Sequence, residues 1–538
     1  MVWRLKLQIC LGLGLLMGTY AQSAGAVEQL NLRLGFLEKS VAIADLETFT
    51  TTGEIRPSLQ LYRPFLTPEL RQALGKPWQI PPSLAERFVD DLLPTTDGER
   101  VIASLKQVIP ESTLPDLRIA LIAGTKEATG LTLINLLQQY PREKLTLDLG
   151  GMLAIALQMN NSSLQSKFLS PWIAQEFHTN NKITASELDP SRQGTREVRQ
   201  RSWSFGDQQR QRVIPVDIFW GRRVNPPKEA PLVVISHGFG ADRHFLDYLA
   251  NHLASHGLVV VTIEHPKSNI NWLASIAHGN NPEALLPASE FVDRPLDVSF
   301  VLDRLTEINE KSGFWQGKLA THKVTMIGHS LGGYTALALA GGELDLAAVR
   351  QFCQERSLWE RAPADWFQCN AEQLPAQNLQ LADSRIAQAI VLNPVTGKLF
   401  GNKGLGKINI PTLFLTSSHD IITPPLEHQL KAFQQLNSPK YLLTVLGGTH
   451  LSVSDPSHIN KDLAANPLVP EVIGKAAAPL HQTLKAITLS FVQQLTPEAT
   501  TYAPFLTAPY IQSRSTGNFS FRLNTSLPLA TATLVELF

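Results

Sequence analysis

Residues 328–332 read Gly-His-Ser-Leu-Gly, between the apolar run Val324-Thr-Met-Ile327 and the helix-forming Tyr334-Thr-Ala-Leu-Ala-Leu-Ala340. A serine on a sharp strand-to-helix turn, flanked by glycines where a Cβ would collide with neighbouring chain, is a nucleophile elbow. Its hydroxyl is a weak nucleophile near neutral pH. Ser330 therefore needs a histidine to take its proton, a carboxylate to hold that histidine, and paired N–H donors for the oxyanion formed on an attacked carbonyl. In sheets that carry this elbow, the order along the chain is serine, acid, histidine.

Four histidines lie downstream of a suitable acid: His428, His450, His458 and His481. His428 and His481 sit in helical patterns and are expected to face solvent, and His458 lies in a polar loop. His450 alone directly follows a strand and a glycine turn, Tyr441-Leu-Leu-Thr-Val-Leu-Gly-Gly-Thr-His450, and is the candidate base. The candidate acid is Asp420, on a short loop after Thr412-Leu-Phe-Leu-Thr416; an Asp in such a Ser-rich turn can also serve only as a cap. For the oxyanion, the Leu331 N–H at the helix start is one donor. Phe239, in the turn His237-Gly-Phe-Gly240, is the second. His237 and His329 are read as packing or turn histidines.

Positioning these groups takes a sheet. Arg196 to Ser204 and Val213 to Trp220 read as a hairpin about Gly206-Asp207. Strands at Leu232–Ser236, Leu258–Glu264, Val324–Ile327, Ile386–Leu392, Thr412–Thr416 and Tyr441–Leu446 then alternate with helices at Asp242–Ser255, from about Pro295 to Ile308, after Ser330, and around Ala476 to Leu495. Continuous apolar strands separated by helices mean a mostly parallel, doubly wound α/β sheet covered on both faces. Two stretches interrupt it, 270–291 and 343–383, and both are expected above the carboxyl ends of the strands as lid and pocket elements.

The rest of the chain sets the context. Lys plus Arg and Asp plus Glu each number 47 among 538 residues, so there is no electrostatic footprint for nucleic acid, and small neutral or amphipathic substrates fit better. Residues 1–26 carry Arg4 and Lys6, an apolar stretch from Leu7 to Met17, then Ala24-Gly-Ala26, the order of a secretory signal peptide. Export with cleavage near Ala26 would leave Cys353 and Cys369, an even pair suited to a disulfide. No Cys or His cluster shows metal-ligand spacing, so neither metal nor other cofactor is expected. Residues 27–170 read as a small helical domain: Asp45 caps a helix that stops near Gly53, Ser83 and Glu86 form a capping box, Leu117 to Ile122 ends at Gly124, and Leu131 to Tyr140 stops at Pro141. Residues 171–195 read as a polar linker, 196–496 as the catalytic domain, and 497–538 as a tail without assigned function.

Several separate motifs, Ile235-Ser-His-Gly-Phe-Gly-Ala-Asp-Arg-His244, Leu253-Ala-Ser-His-Gly-Leu-Val-Val-Val261, Glu264-His-Pro266 and Gly328-His-Ser-Leu-Gly-Gly333, resemble the platelet-activating factor acetylhydrolases and the related dienelactone-hydrolase-like proteins. The resemblance covers residues 200 to 495; the N-terminal segment resembles a helical domain of unknown function found before such hydrolases in some bacterial secreted proteins. It implies an α/β-hydrolase fold and metal-free hydrolysis of a carboxylic ester through an acyl-enzyme. Ser330, His450, Leu331 and Phe239 stand at matching motif positions. One departure is Asn393, where the acetylhydrolases carry their acid; Asp420 matches the later acid position of the dienelactone-hydrolase-like enzymes. The expected protein is thus an exported serine esterase acting on short-chain or lipid-like esters, with peripheral membrane contact compatible with such substrates. A thioesterase or peptidase on the same scaffold, and a non-catalytic binding protein of this fold, are the alternatives.

Overall fold

The computed structural model describes residues 27–34, 37–66, 68–75 and 77, short pieces between 82 and 108, then 109–127, 130–148, 172–181, 187–222, 230–277, 285–355, 361–375, 379–458 and 471–537. The expected signal segment and the Ser83–Glu86 capping box lie outside, or only partly within, these residues. The chain divides into two compact units, Met1–Leu157 with Ala277–Gly279, and Gln158–Ile276 with Asn280–Phe538.

The N-terminal unit is mixed α/β, which corrects the all-helical expectation. Strands β1 (Gln29–Leu34), β2 (Leu37–Ala42) and β3 (Lys144–Asp148) form a sheet in the order β2-β1-β3, antiparallel on one side of β1 and parallel on the other. Gln-Leu-Asn-Leu-Arg-Leu in β1 and Lys-Leu-Thr-Leu-Asp in β3 alternate with period two, and Leu30, Leu32, Leu145 and Leu147 are buried on one face. The helix Ile43–Thr52 packs Leu46 and Phe49 into the same core and ends at Gly53, whose φ of 83° suits a glycine cap. Thr113 and Thr132 open the helices Leu114–Thr125 and Leu133–Gln138 with reciprocal capping boxes.

The second unit is built on nine strands. They are β4 (Val198–Asp207), β5 (Arg212–Gly221), β6 (Leu232–Ser236), β7 (Val259–Ile263), β8 (Val324–His329), β9 (Ile386–Leu392), β10 (Thr412–Ser417), β11 (Lys440–Leu446) and β12 (Ser520–Asn524). Their order is β12-β11-β10-β9-β8-β6-β7-β5-β4. From β7 to β11 all pairs are parallel, while β4, β5 and β12 are antiparallel to their neighbours. Every residue of β6 and β7 is buried, as strands covered on both faces require. Successive residues alternate between two cores, Leu232 and Val234 on one face, Val233 and Ile235 on the other. This is the α/β-hydrolase fold.

Three boundaries differ from expectation. The presumed linker is packed: Ile173 and Phe177 enter the core, and Thr179 N–H bonds Gln512 Oε1 at 2.9 Å. The presumed tail supplies β12, where Phe521 and Leu523, with Phe519 just before the strand, enter the core and the strand closes the β11 edge. The helix expected from Pro295 starts five residues earlier and spans Glu290–Glu310. Proline cannot satisfy the carbonyl four residues back, and here Tyr334 Oη donates to that Phe291 carbonyl at 2.5 Å instead. In the 343–383 insertion Cys353 and Cys369 are disulfide-bonded. A loop this short gives a stabilisation of ~3 kcal/mol on loop-closure entropy.

Candidate active site

Ser330 sits between β8 and the helix Leu331–Leu339 with φ 53° and ψ −118°. Positive φ in a non-glycine residue is costly and persists only where surroundings over-determine it. They do so here through close packing. A Cβ on Gly328 would stand 1.9 Å from Gly332 O, and one on Gly332 would stand 2.1 Å from Ser236 O. Ser330 N–H donates to Leu392 O and Ser330 O accepts from Val395 N–H, each at 3.0 Å, so the turn is clamped to the end of β9.

Asp420 follows β10 and is fully buried. Its Oδ1 accepts Ile422 N–H at 2.9 Å and Thr423 N–H at 2.8 Å, and its Oδ2 accepts the Thr423 hydroxyl at 2.7 Å. Oδ2 also accepts His450 Nδ1 at 2.8 Å. The other acids near the strand ends are engaged elsewhere: Asp383 with Arg385 and Ser299, Asp455 with the Tyr248 and Ser457 N–H groups. His450 follows β11 and the turn at Gly447, whose φ is 86°. Burial presses its pKa down, but the Asp420 charge and hydrogen bond, with a smaller push from Glu471, outweigh it and raise the imidazole above its ordinary value.

Three residues not singled out by spacing hold this loop. Asn393, fully buried at φ 44°, accepts Ser417 N–H at 3.0 Å and donates to Ser417 Oγ at 3.1 Å and His450 O at 3.3 Å. Its amide thus positions the histidine's backbone, not its ring. His329 Nε2 donates to the same His450 carbonyl at 3.1 Å, and the two rings lie 4.7 Å apart. Glu471 accepts Leu451 N–H at 2.8 Å; it belongs to no motif, and only the fold brings it here. His428 and His481 are buried rather than solvent-facing. His428 bonds Asp365 at 3.1 Å and Thr396 N–H at 3.2 Å, and His481 bonds Ser452 O at 3.0 Å, just past His450.

The turn after β6 lies against the serine: a Cβ on Gly238 would be 3.1 Å from Ser330 Cβ. Gly240 N–H is engaged by Ser268 O at 2.8 Å and Ala241 N–H by Gly238 O at 3.4 Å. Phe239 is half-buried, with its ring 4.5 Å from Phe367 of the 343–383 insertion. The helix Pro363–Asn370 of that insertion also bonds Ile422 O through Ala364 N–H at 3.0 Å, so it spans from the Phe239 turn to the Asp420 loop. Leu331 N–H opens the helix and has no intrahelical acceptor.

Beneath the turn lies a second set of the same residue types. Ser236 Oγ and His265 Nε2 are 2.9 Å apart, and His265 Nδ1 lies 3.0 Å from Asp297 Oδ2, all three fully buried. Arg294, also fully buried, donates to Ser236 Oγ at 3.2 Å, Ser268 Oγ at 2.7 Å and the His237 carbonyl that begins the turn. Burial brings its pKa down to about 10 against the pull of Glu290 and Asp297. A polar stripe at 290, 294 and 297 on a helix face otherwise carrying Phe291, Val298 and Val301 is the sequence signal that could have revealed it. His237 is held between Gly238 O and His265 N–H, and burial keeps it and His329 well below the ordinary imidazole pKa.

Residues 26–148 match the family described as "Alpha/beta hydrolase of unknown function (DUF1400)", and residues 190–284 match "Platelet-activating factor acetylhydrolase, isoform II". Platelet-activating factor acetylhydrolase of Cavia porcellus is 24% identical over 151 residues, 23% of this chain and 35% of that protein. Cutinase 2 of Thermobifida cellulosilytica is 24% identical over 268 residues, 49% of this chain and 77% of that protein. The chain therefore spans about a third of the first relative and about three-quarters of the second. Strand order and both family matches agree that this is an α/β-hydrolase-fold protein, and its residues 190–284 are similar to the platelet-activating factor acetylhydrolases.

Proposed function

We propose that the protein is a serine hydrolase of carboxylic esters, with Ser330 as nucleophile, His450 as base, Asp420 as its orienting acid, and Leu331 and Phe239 N–H as oxyanion donors. The observation that carries this reading is the 2.8 Å bond from His450 Nδ1 to Asp420. It keeps the imidazole proton on Nδ1 and leaves Nε2 bare to act as base. The names of the two relatives support ester chemistry.

In this mechanism Ser330 Oγ bonds to the ester carbonyl carbon as its proton passes to His450 Nε2. The carbonyl oxygen becomes an oxyanion facing the two N–H donors. Collapse breaks the bond to the alcohol oxygen, which leaves with the proton from Nε2. Water then adds to the acyl-enzyme by the same route, and the acid departs as Ser330 regains its proton. Phe239 and Phe367 offer an apolar wall, which favours short-chain or lipid-like acyl groups. Export with cleavage near Ala26 belongs to the same reading and is supported by the disulfide, a bond of oxidising compartments. N-terminal sequencing of extracytoplasmic protein should begin close to Val27; a retained leader would overturn that part.

Purified protein should hydrolyse p-nitrophenyl acetate and butyrate and take a fluorophosphonate label on Ser330. Folded protein that does neither would sink the esterase reading and favour a binding scaffold.

A further inference from the structure

Away from the serine, the chain entering the helix Asp247–Ser255 meets the segment that follows His450. Asp455 N–H donates to Phe245 O and Tyr248 N–H to Asp455 Oδ2, each at 2.8 Å, so the two segments are already fixed side by side. At this junction His244 Nδ1 stands 3.0 Å from Asp247 Oδ2, and His458 Nε2 stands 4.0 Å from the same oxygen. One ligand atom from each of the three residues lies within 4.8 Å of the other two. The two imidazole centroids are 5.0 Å apart, with planes 25° apart.

From these positions we infer that His244, Asp247 and His458 form a binding site for one divalent transition-metal ion, Zn²⁺ in the first instance. Donor atoms on a metal at about 2.0–2.2 Å stand roughly 3–4 Å from one another, so closing the site takes sub-ångström to one-ångström movements of side chains. Two imidazoles bound to one tetrahedral ion have ring centroids about 5 Å apart, which the pair already matches. Two nitrogens and one carboxylate select zinc-like ions over calcium or magnesium, which prefer oxygen.

A second observation points the same way. Asp247 Oδ1 is buried and has no hydrogen-bond partner among the described residues. A desolvated carboxylate oxygen left without a donor is costly, and a bound cation removes that cost. Charges nearby also favour a cation: Asp217, Asp455 and Glu264 stand against Arg243, which bonds Asp217 and Glu264, and Lys485 beside Asp455. At 25%, 14% and 40% side-chain exposure, the three ligands are reachable from solvent yet anchored. Three protein ligands leave a fourth position for water. A bound ion would tie the segment after Phe239 to the segment after His450, whether or not the protein hydrolyses esters.

The test is metal binding by untagged, chelator-treated full-length protein, followed by calorimetry with Zn²⁺ and by the visible d–d bands of Co²⁺. Wild type should bind one ion, give a tetrahedral Co²⁺ spectrum and gain melting temperature with added Zn²⁺. His458→Ala should lose at least about 10-fold in affinity, since even outer groups around metal sites are worth that much. Asp247→Asn, which keeps the shape but not the charge, should do the same. Because His458 is exposed and outside the proposed catalytic set, its variant should fold and melt like metal-free wild type. Wild type that binds no tighter than His458→Ala, or an unchanged Co²⁺ spectrum in that variant, would overturn the inference.

Discussion

Ser330, His450 and Asp420 share their residue types with Ser236, His265 and Asp297, and the two sets differ in almost everything else. The first stands on loops at the carboxyl ends of β8, β10 and β11; the second is sealed under the turn that contains Phe239. Asp420 is held by hydroxyl and backbone N–H donors, with no guanidinium among the described residues, so its charge acts on His450 and raises that imidazole. Asp297 is met by Arg212 at 2.8 Å and by Arg210 at 2.8 Å. Burial, and then Arg294, Arg212 and Arg210, hold His265 well below the ordinary value. Serine, histidine and aspartate within hydrogen-bond reach are therefore not yet a site. A strained, clamped serine and an acid whose charge acts on its histidine make the difference.

The sharpest way to break this contrast is to remove each serine. Ser330→Ala should lower kcat by on the order of 10⁴ or more with the fold intact, and should abolish fluorophosphonate labelling. Ser236→Ala should keep the label on Ser330 and show its effect chiefly in melting temperature. Label found on Ser236, or activity surviving in Ser330→Ala, would reverse the assignment.

The acids should separate next. Asp420→Asn removes the charge that stabilises the His450 imidazolium and favours the wrong tautomer, costing on the order of 10⁴ in kcat. Asp297→Asn should instead leave Arg212 without full compensation in the core. Breaking a buried pair costs about 3–5 kcal/mol, so this variant should melt early while its active fraction keeps near-normal kcat at low temperature. If Asp297→Asn lost 10⁴ in kcat while remaining folded, the buried set would be part of the chemistry.

The sequence made the first set legible because its signals are local: glycines around Ser330, a strand before Asp420, a strand and glycine turn before His450. The parallel sheet was legible for the same reason, since continuous apolar runs leave few alternatives. The buried set was not legible because Ser236, His265 and Asp297 meet only after β6, the turn past β7 and the helix Glu290–Glu310 pack. His244, Asp247 and His458 show no metal-ligand spacing along the chain likewise, since only folding brings His458 beside the start of the helix Asp247–Ser255. The N-terminal strands could have been read from Leu30 and Leu32 alternating with polar residues, a pattern masked by the stronger helix caps nearby. In the same way Phe519, Phe521 and Leu523 carried the signal for β12.

A smaller effect tests how the histidine loop is held. Asn393→Ala removes the donor to His450 O and both contacts to Ser417, leaving the Asp420 bond in place. Misplacement of reacting groups by an ångström can cost about 10²-fold, so a loss of roughly 10- to 100-fold in kcat is expected, well below that of Asp420→Asn. A loss equal to that of Asp420→Asn would mean that Asn393 does more than position backbone.

The smallest effect is in pH, and here the two histidines should carry opposite signs. His450 is raised above the ordinary 6.5, so it is protonated at higher pH in the folded protein than in the unfolded chain. Its contribution to stability is fully present below 6.5 and is lost as pH rises through its folded value. His265 is depressed, so it contributes above 6.5 and that contribution is lost as pH falls below it. In the proposed mechanism the neutral imidazole of His450 takes the serine proton. The pH profile of kcat/KM should thus fall on the acid side with an apparent pKa above 6.5. Asp420→Asn removes the charge that raises it most and leaves burial opposed only by the smaller push from Glu471, so the residual activity should show this limb at lower pH. Asp297→Asn should leave the limb where it is, because its carboxylate faces His265 and two arginines rather than His450. A limb that moved with Asp297→Asn and stayed fixed with Asp420→Asn would show that the titrating base belongs to the buried set.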